Sequence, residues 1–77
     1  MRTNFKPMHV WIYKTSISSK LHIRKIARSL DLHVSISGWS VDIEDVDNVL
    51  RIESQETEEP LFKELVKNAG YECEVLK

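Results

Sequence analysis

The sequence contains a single cysteine, Cys73, and only two glycines among its 77 residues. One thiol cannot form an internal disulfide, and it rules out Cys-ligated iron–sulfur or zinc sites within the chain. No glycine opens the serine-rich stretch at residues 15–19, and no Walker pattern is present. A chain of this length forms one small domain without room for a deep catalytic cleft. We therefore expect a protein of a reducing compartment that is not an enzyme.

Long hydrophobic runs and a surplus of one charge are also missing. No apolar run approaches the ~20 residues of a membrane span, and the opening MRTNFKP lacks the hydrophobic core of a signal peptide. The 11 basic and 12 acidic residues give a net charge of −1, so no overall positive field attracts nucleic acid or an anionic membrane. We expect a soluble, cytoplasmic protein with no nucleic-acid or membrane partner.

The spacing of apolar residues predicts six elements in a single domain, residues 8–77, preceded by a short tail, residues 1–7. The stretches HVWIYKT, WSVDIED, VLRIES and YECEVL are typical of strands. After the first of them, apolar residues in the range 23–30 recur at helical spacing. A second helix is expected from an N-cap at Thr57 to Gly70, where the chain can turn in the left-handed conformation. Asp and Asn residues between WSVDIED and VLRIES predict a hairpin turn.

The first strand and the two helices contain the residues most relevant to a site. On the strand we expect His9, Trp11 and Tyr13 to face outward, either as a contact surface for another protein or, for Trp11, shielded by the N-terminal tail. Ser18 is the expected N-cap of the first helix. The second helix is expected to bury one apolar stripe, made of Leu61, Phe62, Leu65, Val66 and Ala69.

The resulting order is βαββαβ, which predicts an α+β, ferredoxin-like sandwich. In this arrangement two helices cover one face of a four-stranded antiparallel sheet. Right-handed crossovers place the first and third strands in the centre of the sheet. The junction between the first strand and the first helix then lies at one end of the molecule, and His9 and His33 lie toward the other.

Three pieces of the sequence stand out together: VWIYKTSIS entering the first helix, GWSVDIEDVDNVLRIES as the central hairpin, and LVKNAGYECEV closing the fold. With these pieces in this order, the chain resembles the heavy-metal-associated family of copper-chaperone-like domains. In that family, the loop before the first helix has two cysteines, separated by two residues, that hold Cu(I) or Zn(II). Aligned on YKTSI, those positions are Ser19 and His22. The resemblance therefore implies a degenerate member, for which we expect no metal site and no cofactor.

Ser19 and His22 remain the nearest candidates for a weak or shared copper or zinc site. A hydroxyl group is a poor ligand for a soft metal, and one imidazole falls short of the two or more strong ligands needed. His9 and His33 are too far along their elements to reach His22. The serines at this junction also suggest anion binding or nucleophilic catalysis, but ordinary helix capping explains them better.

The first helix presents basic residues on the side opposite its apolar stripe. Lys20, Arg24 and Arg28 recur every four residues, with Lys25 beside them. Such a face is often only solvated, but in the resembled family the corresponding helix helps to dock charged partners. Acidic residues gather instead in the hairpin turn and around residues 56–59, and this segregation could also drive weak self-association.

We therefore expect a non-enzymatic binding module that acts by protein–protein interaction, as a monomer or weak homodimer. The candidate partner-binding residues are Lys20, Arg24, Lys25, Arg28, Trp11 and Tyr13. Base stacking as in RNA-recognition motifs is disfavoured, because the third strand lacks the aromatic motif that it needs. The alternative function is heavy-metal binding or transport, in which His22 supplies one ligand and a partner or second chain supplies the others.

Overall fold

The computed structural model describes residues 9–55 and 61–76. It contains four strands and two helices in the predicted order. The elements are β1 (His9–Thr15), α1 (Lys20–Asp31), β2 (Ile36–Asp42), β3 (Val49–Ser54), α2 (Phe62–Asn68) and β4 (Cys73–Val75). The expected tail, residues 1–7, and the expected cap at Thr57 lie outside the described residues.

The four strands form one antiparallel sheet in the order β2-β3-β1-β4. β1 pairs with β3 from His9 opposite Ser54 to Tyr13 opposite Leu50, and β3 pairs with β2 in the hairpin. β1 also pairs with β4, with Thr15 opposite Cys73. The ferredoxin-like fold and the central position of β1 and β3 are therefore confirmed.

The expectation that Trp11 and Tyr13 face outward is wrong. Tyr13 is 1% exposed in the core, and Trp11 packs against that core and donates from Nε1 to Oγ of Ser54 (3.2 Å). Val10, by contrast, is 44% exposed. Both faces of β1 carry apolar side chains, so alternation alone did not show which face is buried. The register of β1 against β3 determines which face is buried, because the strand neighbours of Trp11 and Tyr13 are buried residues of β3.

β2 begins three residues earlier than its alternation indicates. Ile36 lies opposite Ser54 and Gly38 lies opposite Glu53, so Ser37 is an extra residue that forms a β-bulge. The bulge allows Ile36 and Trp39 to pack on the same face of the sheet although they are three residues apart. The alternation of inward and outward side chains is interrupted at the bulge, so the start of β2 could not be predicted from the alternating pattern.

The core lies between the sheet and the two helices. Its fully buried members are Tyr13, Ile17, Ile26, Leu30, Leu50, Ile52, Phe62, Val66 and Cys73. Leu65 packs against this cluster, but Leu61 is 77% exposed and Ala69 is also exposed, so the predicted stripe of α2 is narrower than expected. The last turn of α2 is followed by Gly70 at φ 102°, as predicted for a left-handed terminus.

Neither helix in the described part of the chain has the length and apolar character needed to cross a membrane. α1, the longer of the two, has 12 residues.

Cys73 is a core residue, and burial raises the pKa of its thiol from 9.0 to about 11. Desolvation is the main cause, and the charges of Lys63 and Lys67 oppose it. In the unfolded chain the thiol ionises near its ordinary pKa, whereas in the folded chain it stays protonated up to the raised pKa. The free energy of unfolding therefore falls as the pH rises from 9 to about 11, because the unfolded chain releases this proton first.

We predict that the free energy of unfolding falls over this pH range by on the order of 2 kcal/mol more in the native chain than in a Cys73→Ala variant. Urea unfolding at several pH values measures the difference, and the variant corrects for lysine and tyrosine titration. Parallel pH profiles for the two proteins would contradict a protonated, buried thiol.

Candidate functional site

The junction between β1 and α1 is held by the β2–β3 loop. The backbone N–H of Thr15 donates to the carbonyl of Asp47 (3.1 Å), and its hydroxyl donates to the carbonyl of Asn48 (2.6 Å). The same hydroxyl accepts the backbone N–H of Ile17 (3.1 Å), whose side chain is fully buried. These bonds fix the path of the chain into α1.

A second set of bonds joins the junction to the turn before β4. The backbone N–H of Ser16 donates to the carbonyl of Glu72 (3.2 Å), and the backbone N–H of Glu72 donates to Oγ of Ser16 (2.9 Å). Ser16 is therefore a structural residue that binds its own chain, which argues against the reading of these serines as a phosphate site or a nucleophile.

Ser19, and not Ser18, is the N-cap of α1. It has the extended backbone typical of a cap (φ −145°, ψ 163°), and its Oγ accepts the backbone N–H of His22 (3.1 Å). The two serines are alike as cap candidates in sequence. The structure distinguishes them because the bonds of Thr15 and Ser16 set where the helical turn begins.

His22 lies in the first turn of α1 and is half-buried. Its Nδ1 accepts the backbone N–H of Ser18 (3.1 Å), and its ring lies 5.2 Å from the ring of Tyr71, centroid to centroid. Because a backbone N–H can only donate, Nδ1 must be the unprotonated nitrogen, and in the neutral ring the proton is then on Nε2. Neither nitrogen of this tautomer is free to bind a metal.

The donor set at this junction does not fit a soft metal ion. The hydroxyl of Ser19 caps the helix, the lone pair of His22 binds Ser18, and the thiol of Cys73 is buried and protonated at neutral pH. Across residues 9–55 and 61–76, no group of three or more His, Cys, Asp or Glu side chains is arranged to hold a metal ion. What the junction can do is start a helix at a fixed point.

The other two histidines have local contacts of their own. Nδ1 of His33 lies 3.0 Å from Oγ of Ser35, and its ring meets the ring of Phe62 edge-on at 5.3 Å. The ring of His9 lies 6.4 Å from that of Trp11. The structure brings neither histidine into a group with His22, in agreement with the expectation from their positions in the elements.

The basic residues of α1 form a continuous exposed surface. Lys20, Arg24, Lys25 and Arg28 are all exposed, and three of them line a shallow depression of about 410 Å³ together with Leu21. We call Lys20, Leu21, Arg24, Lys25 and Arg28 the basic helix face. Within the described ranges the ion pair that the chain forms is Lys14 with Asp47 (3.8 Å), so the cations of this face have no carboxylate partner there.

Leu21 belongs to this surface but was not among the partner-binding residues predicted from the sequence. Its side chain is 55% exposed, in the middle of four positive charges. The signal was available, because Leu21 precedes Lys25 by four residues and Arg28 by seven and therefore lies on their side of the helix. An apolar residue surrounded by charge is a common feature of a docking surface.

The sheet face opposite the helices carries the other half of β1. The register places Val10 beside Glu53 and Ile12 beside Arg51, and Lys14 lies opposite Glu74. This open face therefore mixes apolar side chains with charges of both signs. It takes the place of the aromatic surface that the sequence analysis expected there.

The sequence matches no protein-family model and none of the curated proteins. Solved structures nevertheless share its fold. The apo HMA domain of a copper chaperone for superoxide dismutase covers 100% of this chain and 76% of its own length, with a TM-score of 0.74 and 11% identity. The N-terminal domain of PacS from Synechocystis covers 90% and 98%, with a TM-score of 0.71 and 14% identity.

A third structure, the CsoZ metallochaperone, covers 87% of this chain and 97% of its own, with a TM-score of 0.68 and 14% identity. The chain therefore has the fold of heavy-metal-associated domains, as the resemblance in sequence implied. At the two positions that the resemblance in sequence assigns to the family's cysteines, the chain has Ser19 and His22.

We predict that Ser19→Ala lowers the free energy of unfolding by about 1 kcal/mol, because the N–H of His22 loses its cap. Ser18→Ala is the matched control and should change it by less than about 0.5 kcal/mol, since this exposed side chain is outside the cap. Chemical denaturation of the two variants beside the native chain measures both effects. Equal losses would contradict the assignment of Ser19 as the cap.

Proposed function

We propose that the chain is a non-enzymatic binding module that docks an acidic surface of a protein partner through the basic helix face. The observation that supports this function is an exposed Leu21 surrounded by cations without intramolecular partners in the described part of the chain. The chaperone structures that share the fold support a binding module in general.

The physical basis of docking is a division of roles between charge and apolar contact. Each exposed ion pair contributes only about 0.2–1 kcal/mol, but several cations of one sign steer an acidic partner and set its orientation. Covering the exposed half of Leu21 adds on the order of 1 kcal/mol. Arg24 and Arg28 also offer planar, bidentate contacts to carboxylates. The expected complex is weak, transient and sensitive to salt.

The open sheet face is a less favourable docking surface. Lys14 faces Glu74 across the strands, and Arg51 and Glu53 lie on neighbouring positions of β3. Charges on this face therefore have opposite-sign neighbours within the chain. The acid beside the basic helix face on α1 is Asp31, which accepts the N–H of Trp39 (2.8 Å), and in the described residues the cations of that face form no ion pair. The proposal accordingly uses α1 and replaces the earlier expectation for Trp11 and Tyr13.

Metal binding through His22 is the second candidate, because a copper chaperone shares the fold and the resemblance in sequence assigns His22 to a ligand position of the family. The hydrogen bond from Ser18 argues against it. A metal on Nε2 requires a proton on Nδ1, which would then point at the N–H of Ser18, donor against donor. Binding would have to break this bond, and the other ligands would have to come from another chain.

The docking proposal predicts that an acidic partner contacts the helix. A photo-crosslinking residue in place of Leu21 should capture that partner, which is then identified and purified for affinity measurements at two salt concentrations. The affinity of the purified partner should fall with rising salt, and it should fall at least about tenfold in the Arg24→Glu, Arg28→Glu double variant.

The matched control reverses two exposed cations elsewhere, Arg51→Glu with Lys67→Glu, and changes the net charge equally. This control should keep most of the affinity. If both double variants weaken binding by the same factor, the partner responds to net charge alone and the basic helix face is not its docking surface.

For metal, we predict that one equivalent of Cu(I) or Zn(II) leaves the ring resonances of His22 unchanged at micromolar protein. The Nε2–H tautomer, visible in ¹⁵N spectra of the imidazole rings, should persist, with His33 as an internal reference. The titration is repeated near millimolar protein so that two chains can share an ion. A selective shift of His22, or metal retained through dialysis, would favour the second candidate.

A further inference from the structure

We infer that the chain also recognises itself: the basic helix face of one copy docks the acidic loop of a second copy, and the contact is reciprocal. The acidic loop is residues 42–47, the last residue of β2 and the turn that leads to β3. This inference rests on the proposed function, because it uses the same basic helix face and names a second copy of the chain as one acidic partner.

The acidic loop has the composition that the basic helix face would select. It contains Asp42, Glu44, Asp45 and Asp47, and between the last two lies Val46, which is 92% exposed. The basic helix face has four cations around Leu21, which is 55% exposed. Each surface is therefore an apolar side chain among charges of one sign, and the two signs are opposite. Because the two surfaces are complementary, a second copy of the chain is a suitable partner for the basic helix face.

The acidic loop is pre-organised for contact. Oδ1 of Asp42 accepts the backbone N–H of Glu44 (3.0 Å), and Oδ1 of Asp45 accepts that of Asp47 (2.8 Å). Asn48 follows with a positive φ of 46°, and its carbonyl is bonded to Thr15. A loop that is already ordered loses little conformational entropy when a partner covers it.

Most charges of the two surfaces have no ion-pair partner among the residues that the structure describes. Asp47 pairs with Lys14, but over the described residues Asp42, Glu44 and Asp45 form no ion pair, and neither do the cations of α1. Along α1, Arg24 and Arg28 lie about 6 and 12 Å beyond Lys20. They are therefore farther than Lys20 from the end of the molecule at which the acidic loop is bonded to Thr15. Ion pairs between two copies can therefore include more of these charges than ion pairs within one copy.

The position of both surfaces allows the contact to be reciprocal. The acidic loop is bonded to Thr15 at the end of β1, and Lys20 begins α1 a few residues later. Because both surfaces lie next to the same junction, a two-fold axis near it can place each helix against the loop of the other copy. Such an arrangement closes as a dimer rather than growing into a chain.

Sedimentation of the full chain tests the inference. We expect a monomer–dimer equilibrium at about 20 mM salt, with a dissociation constant that rises at least about tenfold at about 300 mM salt, where exposed charges are strongly screened. A chain that remains monomeric at low salt and millimolar concentration would overturn the inference. Species larger than the dimer would overturn the reciprocal contact.

A charge swap identifies the surfaces. Lys20→Glu, Arg24→Glu and Arg28→Glu together leave three carboxylates and one cation on the helix. Glu44→Lys, Val46→Lys and Asp47→Lys together leave three cations and two carboxylates on the loop, and they keep Asp42 and Asp45, which bond to the backbone. Each triple variant alone should be monomeric, because its two surfaces now have charge of the same sign. An equimolar mixture should dimerise again, since an acidic helix meets a basic loop and a native basic helix meets a native acidic loop.

A dimer that survives in either triple variant would place the contact elsewhere, such as the edge of the sheet, and would overturn the inference. ¹H–¹⁵N spectra confirm that each variant is folded. The proposed function is tested separately, with the partner captured at Leu21. If that partner binds a chain that never dimerises, docking through the basic helix face stands and self-recognition fails.

Discussion

The hydroxyl of Thr15 makes the hydrogen bonds on which both candidate surfaces depend. It donates to Asn48 at the end of the acidic loop and accepts the N–H of Ile17 on the way into α1. One group, 6% exposed at residue level, thus sets the loop and the helix at the same end of the molecule. A buried hydroxyl with both partners satisfied stabilises the fold, and losing one partner costs about 1–3 kcal/mol. The last residue of the first strand is therefore bonded both to the end of the acidic loop and to the chain that enters α1.

Much of the fold was predictable from sequence because each element has a distinct apolar period and a recognisable end. β3 was predicted at its observed bounds, and Gly70 ends α2 as expected. The faces of β1 were assigned the wrong way round. Both faces carry large apolar residues, and the register against β3, a contact between residues far apart in sequence, decides which is buried. The start of β2 was missed because the bulge at Ser37 interrupts its alternation.

The candidate site was predictable in its residues but not in its bonds. The resemblance in sequence assigns Ser19 and His22 to the family's two ligand positions, and in the structure both side chains make hydrogen bonds at the start of α1. Ser19 accepts the N–H of His22, and His22 accepts the N–H of Ser18. These two bonds close the first turn of α1 without a metal. Which serine caps the helix could not be predicted, because the choice depends on the bonds of Thr15 and Ser16 to distant loops.

The bulge in β2 has an effect on how this small protein avoids unwanted aggregation. β2 is an edge strand without proline or lysine, and a straight strand of this kind is an open template for a neighbouring chain. The extra residue at Ser37 bends the edge and breaks the regular spacing of its outer N–H and C=O groups. The bulge therefore makes it harder for another molecule to extend the sheet at this edge. Contacts between molecules then depend on the charged surfaces, and the affinity of such contacts changes with the salt concentration.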